Sequence, residues 1–156
     1  MSERLIVVLL SLLLGIQAIT TDLYLPALPL LTRELDASAA QAQLTLTGLL
    51  LAFGLSQLVW GPLSDRFGRQ PVLWCGLVGY TAGAVGAMLS PTIDHLIVWR
   101  SVQGAAMGAS VMGSRAIVRD LYAPLEGARM MSRALTGLGV IACLSAPLGG
   151  VLAQFI

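Results

Sequence analysis

The sequence has few charged residues and no lysine. Charged residues make up 11% of its 156 residues, whereas apolar residues make up 56% and the mean hydropathy is +0.83. A typical soluble domain carries roughly 25% charged residues. Water would not solvate such a surface, so we exclude a soluble domain and expect lipid as the solvent. The net charge of +1 gives no indication of nucleic-acid binding.

Residues that bind metals or catalyse reactions are also scarce. The two cysteines, Cys75 and Cys143, lie in separate apolar runs, and His95 is the single histidine. No Cys/His metal cluster can be assembled from this set, and we predict no cofactor. The sequence also lacks a Gly-x-Ser-Gly motif, which argues against an intramembrane enzyme. We expect two buried, unpaired thiols, although the sequence leaves a disulfide between them open.

Five long apolar stretches are present instead. They cover about residues 5–27, 42–60, 72–90, 96–114 and 134–154. A spanning helix needs about 20 mostly apolar residues. The runs are continuous, whereas the strands of a membrane barrel alternate in polarity over short segments. The sequence therefore predicts an all-α membrane protein with about five transmembrane helices, and no cleavage site marks the first stretch as a secretory signal.

The arginines indicate the orientation of these spans. One side of the predicted topology carries seven of the nine arginines, the other carries only Arg33, and Arg100 lies inside the fourth stretch. The seven are Arg4, Arg66, Arg69, Arg115, Arg119, Arg129 and Arg133. Because positive loops stay in the cytoplasm, we expect a cytoplasmic N-terminus and a multi-pass chain.

Two charged residues, Asp22 and Arg100, fall inside the predicted spans. A charge in hydrocarbon is costly, so each needs a physical reason. At a rise of 1.5 Å per residue, both lie roughly 7–8 Å below the outer boundary, a depth that permits an ion pair. Burial favours a protonated carboxyl group and a nearby guanidinium favours the ionised one, so Asp22 is a candidate for proton exchange. A static ion pair and a hydrated Asp22 stay open as alternatives.

Other polar residues follow helical spacing in the same stretches. Gln17, Thr21 and Tyr24 are spaced to share one face of the first span, and Gln103 shares a face with Arg100. They are candidates for lining a substrate cavity, and the alternative for each is a hydrogen bond between helices.

Glycines also recur at helical spacing. The third stretch contains Gly76, Gly79, Gly83 and Gly86, and the fourth contains Gly104 and Gly108. Small residues on one face let helix backbones approach closely in lipid, so we expect these glycines to pack helices together.

The connection between the second and third stretches has a distinctive composition. Gly61 and Pro62 are predicted to end the second helix, Asp65 and Arg66 supply opposite charges, and Gly68 permits a tight turn. A carboxylate at such a turn suits the positive end of another helix. We therefore expect this segment to hold two helical bundles together.

These residues match a known family. Residues 61–71, GPLSDRFGRQP, resemble the signature of the loop between helices 2 and 3 in the major facilitator superfamily. Arg100-x-x-Gln103-Gly104 resembles the helix 4 motif of that superfamily. Residues 115–122, RAIVRDLY, and 21–29, TDLYLPALP, are similar to the Bcr/CflA group of multidrug efflux proteins, which are drug–proton antiporters.

The resemblance implies roles for individual residues. Asp22 matches the helix 1 acid implicated in proton coupling and drug binding, and Arg100 matches the helix 4 arginine tied to proton transfer. Asp65 matches the loop acid that contacts the C-terminal bundle and stabilises the outward-facing state. The conformational-lock loop consists of Gly61, Asp65, Arg66, Gly68 and Arg69. The implied function is proton-coupled export of small amphipathic drugs across the bilayer of a bacterial cytoplasmic (inner) membrane, with no nucleic-acid partner.

The chain departs from the family in two respects. Antiporters carry a helix 5 motif, Gly-Pro-x-x-Gly-Gly, whereas residues 145–150 read SAPLGG, which leaves Pro147, Gly149 and Gly150 of that motif. Family members have about twelve helices in two bundles, and the substrate site lies between the bundles. We therefore expect residues 1–156 to be a partial N-terminal bundle that needs a C-terminal bundle for transport. The alternative is a non-transport assembly module that docks on another bundle through its glycines.

Overall fold

Every regular element in the described part of the chain, residues 3–153, is a helix in the computed structural model. The elements are α1 (Glu3–Asp22), a short 3-10 helix (Leu25–Ala27), α2 (Leu28–Glu34), α3 (Ala39–Phe67), α4 (Arg69–Met88), α5 (Ile93–Leu121) and α6 (Pro124–Leu152). This arrangement confirms the predicted all-α membrane class. Gln154, the predicted end of the last span, lies outside the described residues.

Four helical segments within residues 3–153 are long and apolar enough to cross a membrane. They are Glu3–Glu34, Ala39–Phe67, Arg69–Met88 and Pro124–Leu152. Helix α5 matches α3 in length, but it carries polar residues such as Asp94, Arg100 and Gln103 and is not among the four.

The second predicted helix does not end at Gly61 and Pro62, so that prediction of the helix end was wrong. Helix α3 continues through both residues to Phe67. The proline ring crowds the side chain of the residue before it, and Gly61 has no Cβ to be crowded. Pro71 is equally well tolerated, because it lies in the first turn of α4, where backbone N–H groups have no partner within the helix.

Helices α5 and α6 are also longer than predicted. Helix α5 extends to Leu121, and α6 begins at Pro124, ten residues before the predicted start at 134. Proline suits that first position because its fixed φ favours the helix and its missing N–H is not needed there. The arginines predicted to lie in a cytoplasmic connection, Arg115, Arg119, Arg129 and Arg133, therefore lie on helices.

The described chain divides into two compact units. Unit 1 contains Met1–Ala27 with Gly113–Ile156, and unit 2 contains Leu28–Met112. In unit 1, α1 packs against α6. The Ser11 hydroxyl contacts the carbonyl oxygen of Ala134 at 3.2 Å, and a Cβ on Gly15 would lie 2.6 Å from Cδ1 of Ile141. Because later residues of α1 meet later residues of α6, the two helices run parallel, as the predicted first and fifth spans should.

In unit 2, the predicted packing role of the glycines is confirmed. A Cβ on Gly104 would overlap the backbone carbonyl of Leu49, so α3 and α5 touch at that point. A Cβ on Gly83 would lie 2.9 Å from Cα of Gln103, so α4 and α5 are in equally close contact. Each approach requires that no side chain stand between the backbones.

Large apolar side chains point outward from the helices. Leu58 on α3 is 75% exposed and Met88 at the end of α4 is 82% exposed. Cys75 and Cys143 are free and exposed, so the expectation of buried thiols was wrong. In a lipid-facing protein the outer surface is itself apolar, so an apolar sequence context does not indicate burial.

Candidate functional site

Asp22 is the last residue of α1 and is half-buried. The Thr21 hydroxyl lies 3.0 Å from both Asp22 Oδ1 and the Gln17 carbonyl oxygen, and it can donate its single proton to either. The last turn of α1 contains no basic residue. The C-terminal end of a helix is the negative end of its dipole. Asp22 therefore receives no counter-charge from its own helix turn.

The predicted face of Gln17, Thr21 and Tyr24 is only partly correct. Gln17 and Thr21 are linked through the hydroxyl contact, but Tyr24 lies in the turn after α1 and is 8% exposed. Helix α1 ends at Asp22, and the chain continues into the 3-10 segment that contains Pro26. A proline disfavours α-helical geometry in the residue before it, which here is Leu25. Tyr24 is thus buried beside the break rather than stacked one turn above Thr21.

Helix α6 contacts this break through Gly149, a contact that the sequence reasoning missed. A Cβ on Gly149 would lie 2.5 Å from the carbonyl oxygen of Leu23 and 2.9 Å from its Cα. By contrast, a Cβ on Gly150 would have nothing within 4 Å. Pro147 lies inside α6 two residues earlier, and Gly149 is buried. The Pro147–Gly150 motif had marked this part of the sequence, but the residue that Gly149 contacts could not be identified without the fold.

Arg100 lies on α5 within unit 2 and is partly buried. Its Nη1 donates a hydrogen bond of 3.2 Å to Oε1 of Gln103, which is 5% exposed. The predicted shared face of these two residues is therefore confirmed. The close approach of Gly83 to Gln103 fixes the backbone that carries this amide. Asp22 belongs to unit 1, so the ion pair between Asp22 and Arg100 stays a prediction.

The connection between α3 and α4 consists of one residue, Gly68. Gly68 has φ of +94°, which favours glycine, and its N–H donates to the Ser64 carbonyl at 3.1 Å. Across this junction, Arg69 Nη1 pairs with Asp65 Oδ1 at 2.5 Å and donates to Ser64 Oγ at 3.0 Å. One guanidinium on α4 thus binds two side chains at the end of α3.

The other arginine of the segment has a different neighbour. The Arg66 guanidinium lies 5.5 Å from the ring centroid of Phe67, within the range of a cation–π interaction. The ion pair that Asp65 forms across the junction is with Arg69. Gly61 lies within α3, where a Cβ would meet only Cε of Met112 at 3.6 Å, an ordinary contact. Within residues 3–153, no three His, Cys, Asp or Glu side chains are grouped to hold a metal ion.

Comparison with known proteins shows the family that this chain resembles. The sequence profile of the Major Facilitator Superfamily matches residues 10–156.

A chloramphenicol resistance protein of Pseudomonas aeruginosa is 36% identical over 84% of this chain and 31% of that protein. A bicyclomycin resistance protein homolog of Haemophilus influenzae is 36% identical over 86% of this chain and 34% of that protein. Multidrug resistance protein D of Escherichia coli is 29% identical over 94% of this chain and 37% of that protein.

These curated relatives are much longer than the segment that matches them. The chain spans about a third of the length of each. The matched part includes Asp22, Arg100 and the α3–α4 junction, because the profile match begins at residue 10.

Proposed function

The chain belongs to the major facilitator superfamily, and on that premise we propose that it supplies the N-terminal bundle of a proton-coupled exporter of small amphipathic drugs. Relatives whose names include chloramphenicol, bicyclomycin and multidrug resistance support this substrate class. The observation that carries the coupling is Asp22, a half-buried carboxylate at a helix end whose last turn has no basic residue. In this proposal the protein is a transporter of a bacterial inner membrane, with the N-terminus in the cytoplasm.

Asp22 takes up and releases the coupling proton in this mechanism. A carboxylate in a low-dielectric setting needs either a proton or a cation, so a cationic drug and a proton compete for it. The Thr21 hydroxyl can donate to the ionised form and turn back to the Gln17 carbonyl when Asp22 is protonated. This partly buried hydroxyl can therefore keep an acceptor in either charge state of Asp22.

Arg100 supplies a fixed positive charge in the same scheme. Arginine does not deprotonate in proteins, so Arg100 can bias a carboxylate or hold an anionic group but cannot carry the proton itself. Its hydrogen bond to the buried Gln103 fixes the direction of the guanidinium. Gln17, Thr21, Tyr24 and Gln103 complete the proposed polar lining of the substrate cavity.

The α3–α4 junction acts as a conformational lock in this proposal. Arg69 holds Asp65 at a junction where Gly68 permits the turn, and the Asp65 side chain remains 60% exposed. An exposed, oriented carboxylate can accept N–H groups at the N-terminus of a helix in a second bundle. We assign Gly61 and Arg66 to the same change between conformational states. A hinge in α6 contributes to this change and consists of Pro147, Gly149 and Gly150.

No observation favours the alternative of an assembly module. That alternative required glycine faces free to dock on another bundle. In unit 2, the faces containing Gly76, Gly83 and Gly104 are already filled by helices of the same chain.

The replacement of Asp22 by Asn tests the coupling. Asn keeps the size and polarity of the side chain but cannot exchange a proton, so drug export driven by a proton gradient should be lost. Export of a fluorescent drug is measured in proteoliposomes that contain the full-length transporter, with an imposed pH gradient. The matched control is Asp94→Asn, because Asp94 is an exposed residue in the first turn of α5. Proton-driven export that survives in Asp22→Asn would remove Asp22 from the coupling mechanism.

A further inference from the structure

Charged residues line two adjoining grooves where the start of α1 meets α6 in unit 1. The larger groove, of about 470 Å³, is lined by Glu3, Arg4, Val7, Val8 and Arg133. The smaller groove, of about 200 Å³, is lined by Glu3, Tyr122, Glu126, Arg129, Met130 and Arg133. Because both are lined by Glu3 and Arg133, we treat them as one surface, the α1–α6 groove. None of these residues has a role in the proposed transport mechanism.

Positive charge is in excess in the α1–α6 groove. Its lining contains three arginines and two glutamates, which gives a net charge of +1. Arg133 Nη1 lies 3.6 Å from Glu3 Oε2, so this arginine is already partly neutralised. Among residues 3–153, neither Arg4 nor Arg129 is found in an ion pair. Guanidinium groups in this situation bind oxyanions such as phosphate with paired hydrogen bonds.

The groove continues from these charges onto apolar surface. Val7 and Val8 form its wall beyond Arg4, and Val8 is 54% exposed. Leu5 and Leu12 on the same helix are 52% and 57% exposed. In a membrane-spanning helix, exposed aliphatic side chains face acyl chains and terminal arginines lie at the headgroup level. The groove therefore crosses the boundary between headgroups and hydrocarbon.

We propose that the α1–α6 groove binds an anionic phospholipid. Arg4 and Arg129 contact the phosphate together with Arg133, and the first carbons of an acyl chain lie against Val7 and Val8. Basic pockets between membrane helices at this depth suit anionic headgroups. A free phosphate ion would use the arginines but not the valines, whereas a lipid uses both. This site is independent of proton-coupled export.

Native mass spectrometry of the delipidated full-length protein tests the proposal. The protein is mixed with equal amounts of phosphatidylglycerol and phosphatidylethanolamine, and the retained lipid is counted at increasing activation energy. We expect preferential retention of phosphatidylglycerol and a reduction of about tenfold in Arg4→Gln/Arg133→Gln, because each interfacial arginine contributes substantially to anionic-lipid binding. The matched control is Arg115→Gln, which removes an exposed arginine of α5 outside the groove.

Three results would overturn the proposal. They are equal retention of the two lipids, unchanged retention in the double variant, and displacement of phosphatidylglycerol by inorganic phosphate. The third would show a phosphate site instead of a lipid site. Because the double variant also loses the contact between Arg133 and Glu3, Arg129→Gln is measured in parallel. Arg129→Gln keeps the contact between Arg133 and Glu3, and it should still lower phosphatidylglycerol retention a few-fold. An unchanged retention in this variant would show that the lipid does not bind in the α1–α6 groove.

Discussion

Two carboxylates near helix ends, Asp22 and Asp65, differ in how their charge is balanced. Asp65 is exposed and has a guanidinium from the next helix, Arg69, at 2.5 Å. Asp22 is half-buried, has a hydroxyl as its neighbour, and ends a helix whose last turn contains no basic residue. The charge of Asp65 is thus balanced by its own junction, whereas that of Asp22 depends on what else surrounds it. The first arrangement suits a constant contact, and the second is the one on which the proposed coupling rests.

A glycine lies near each carboxylate, but the two glycines are needed for different reasons. Gly149 lies against the backbone of Leu23, directly after Asp22, where there is no space for a Cβ. Gly68 follows Asp65 by three residues and is required for its positive φ. The two regions can therefore be perturbed separately by adding a single methyl group.

Gly149→Ala should have the largest effect. The new Cβ would meet the carbonyl oxygen of Leu23 at 2.5 Å, and backbone cannot move aside as a flexible side chain can. We expect a loss of about 2 kcal/mol of stability, typical of overpacking, and loss of most proton-driven export because Asp22 is displaced. Thermal unfolding in detergent and export in proteoliposomes are the measurements.

Gly139→Ala is the matched control for that prediction. It lies on the same helix, and a Cβ there would meet nothing within 4 Å. Alanine is favoured over glycine in a helix by up to about 1 kcal/mol, a gain that both variants share. If Gly149→Ala and Gly139→Ala behave alike, the close approach to Leu23 has no role in positioning Asp22.

The sequence predicted which residues share a helix face better than which residue of another helix that face contacts. The pairing of Arg100 with Gln103 followed from a spacing of three residues, and the close packing at Gly83 and Gly104 followed from periodicity. The contact of Gly149 with Leu23 joins residues far apart in the chain, and no local pattern specifies it.

The predicted end of the second helix was wrong for a physical reason. Glycine and proline commonly end helices in soluble proteins, because water can form hydrogen bonds with the backbone groups that lose their partners in the helix. In a membrane protein, helical structure is the main way to satisfy those groups, so α3 continues through Gly61 and Pro62. The true end comes at Gly68, where the backbone adopts a positive φ. The position of Tyr24 was missed because α1 ends at Asp22, whereas the first predicted span continued to about residue 27.

Gly68→Ala should have an intermediate effect on stability, and this effect should be confined to the α3–α4 junction that contains Asp65. A side chain at φ of +94° is strained, and we expect a loss of about 1 kcal/mol of stability. Gly54→Ala is the control, since Gly54 lies on α3 and a Cβ there would meet nothing within 4 Å. Differential scanning fluorimetry compares the two variants. A Gly54→Ala variant that is the less stable of the pair would contradict the assignment of Gly68 as the residue that ends α3.

The ion pair of Asp65 and Arg69 should have the smallest effect on stability. A double-mutant cycle of Asp65→Asn and Arg69→Gln should give a coupling energy of about 0.5 kcal/mol, since exposed pairs four residues apart are weak and screened by salt. The unfolding midpoints of the four proteins are compared at low and high salt. A coupling above about 2 kcal/mol that is insensitive to salt would mean that the pair is desolvated. If the coupling is small but both single variants impair export, the role of Asp65 lies in its contact with a second bundle and not in the stability of its own junction.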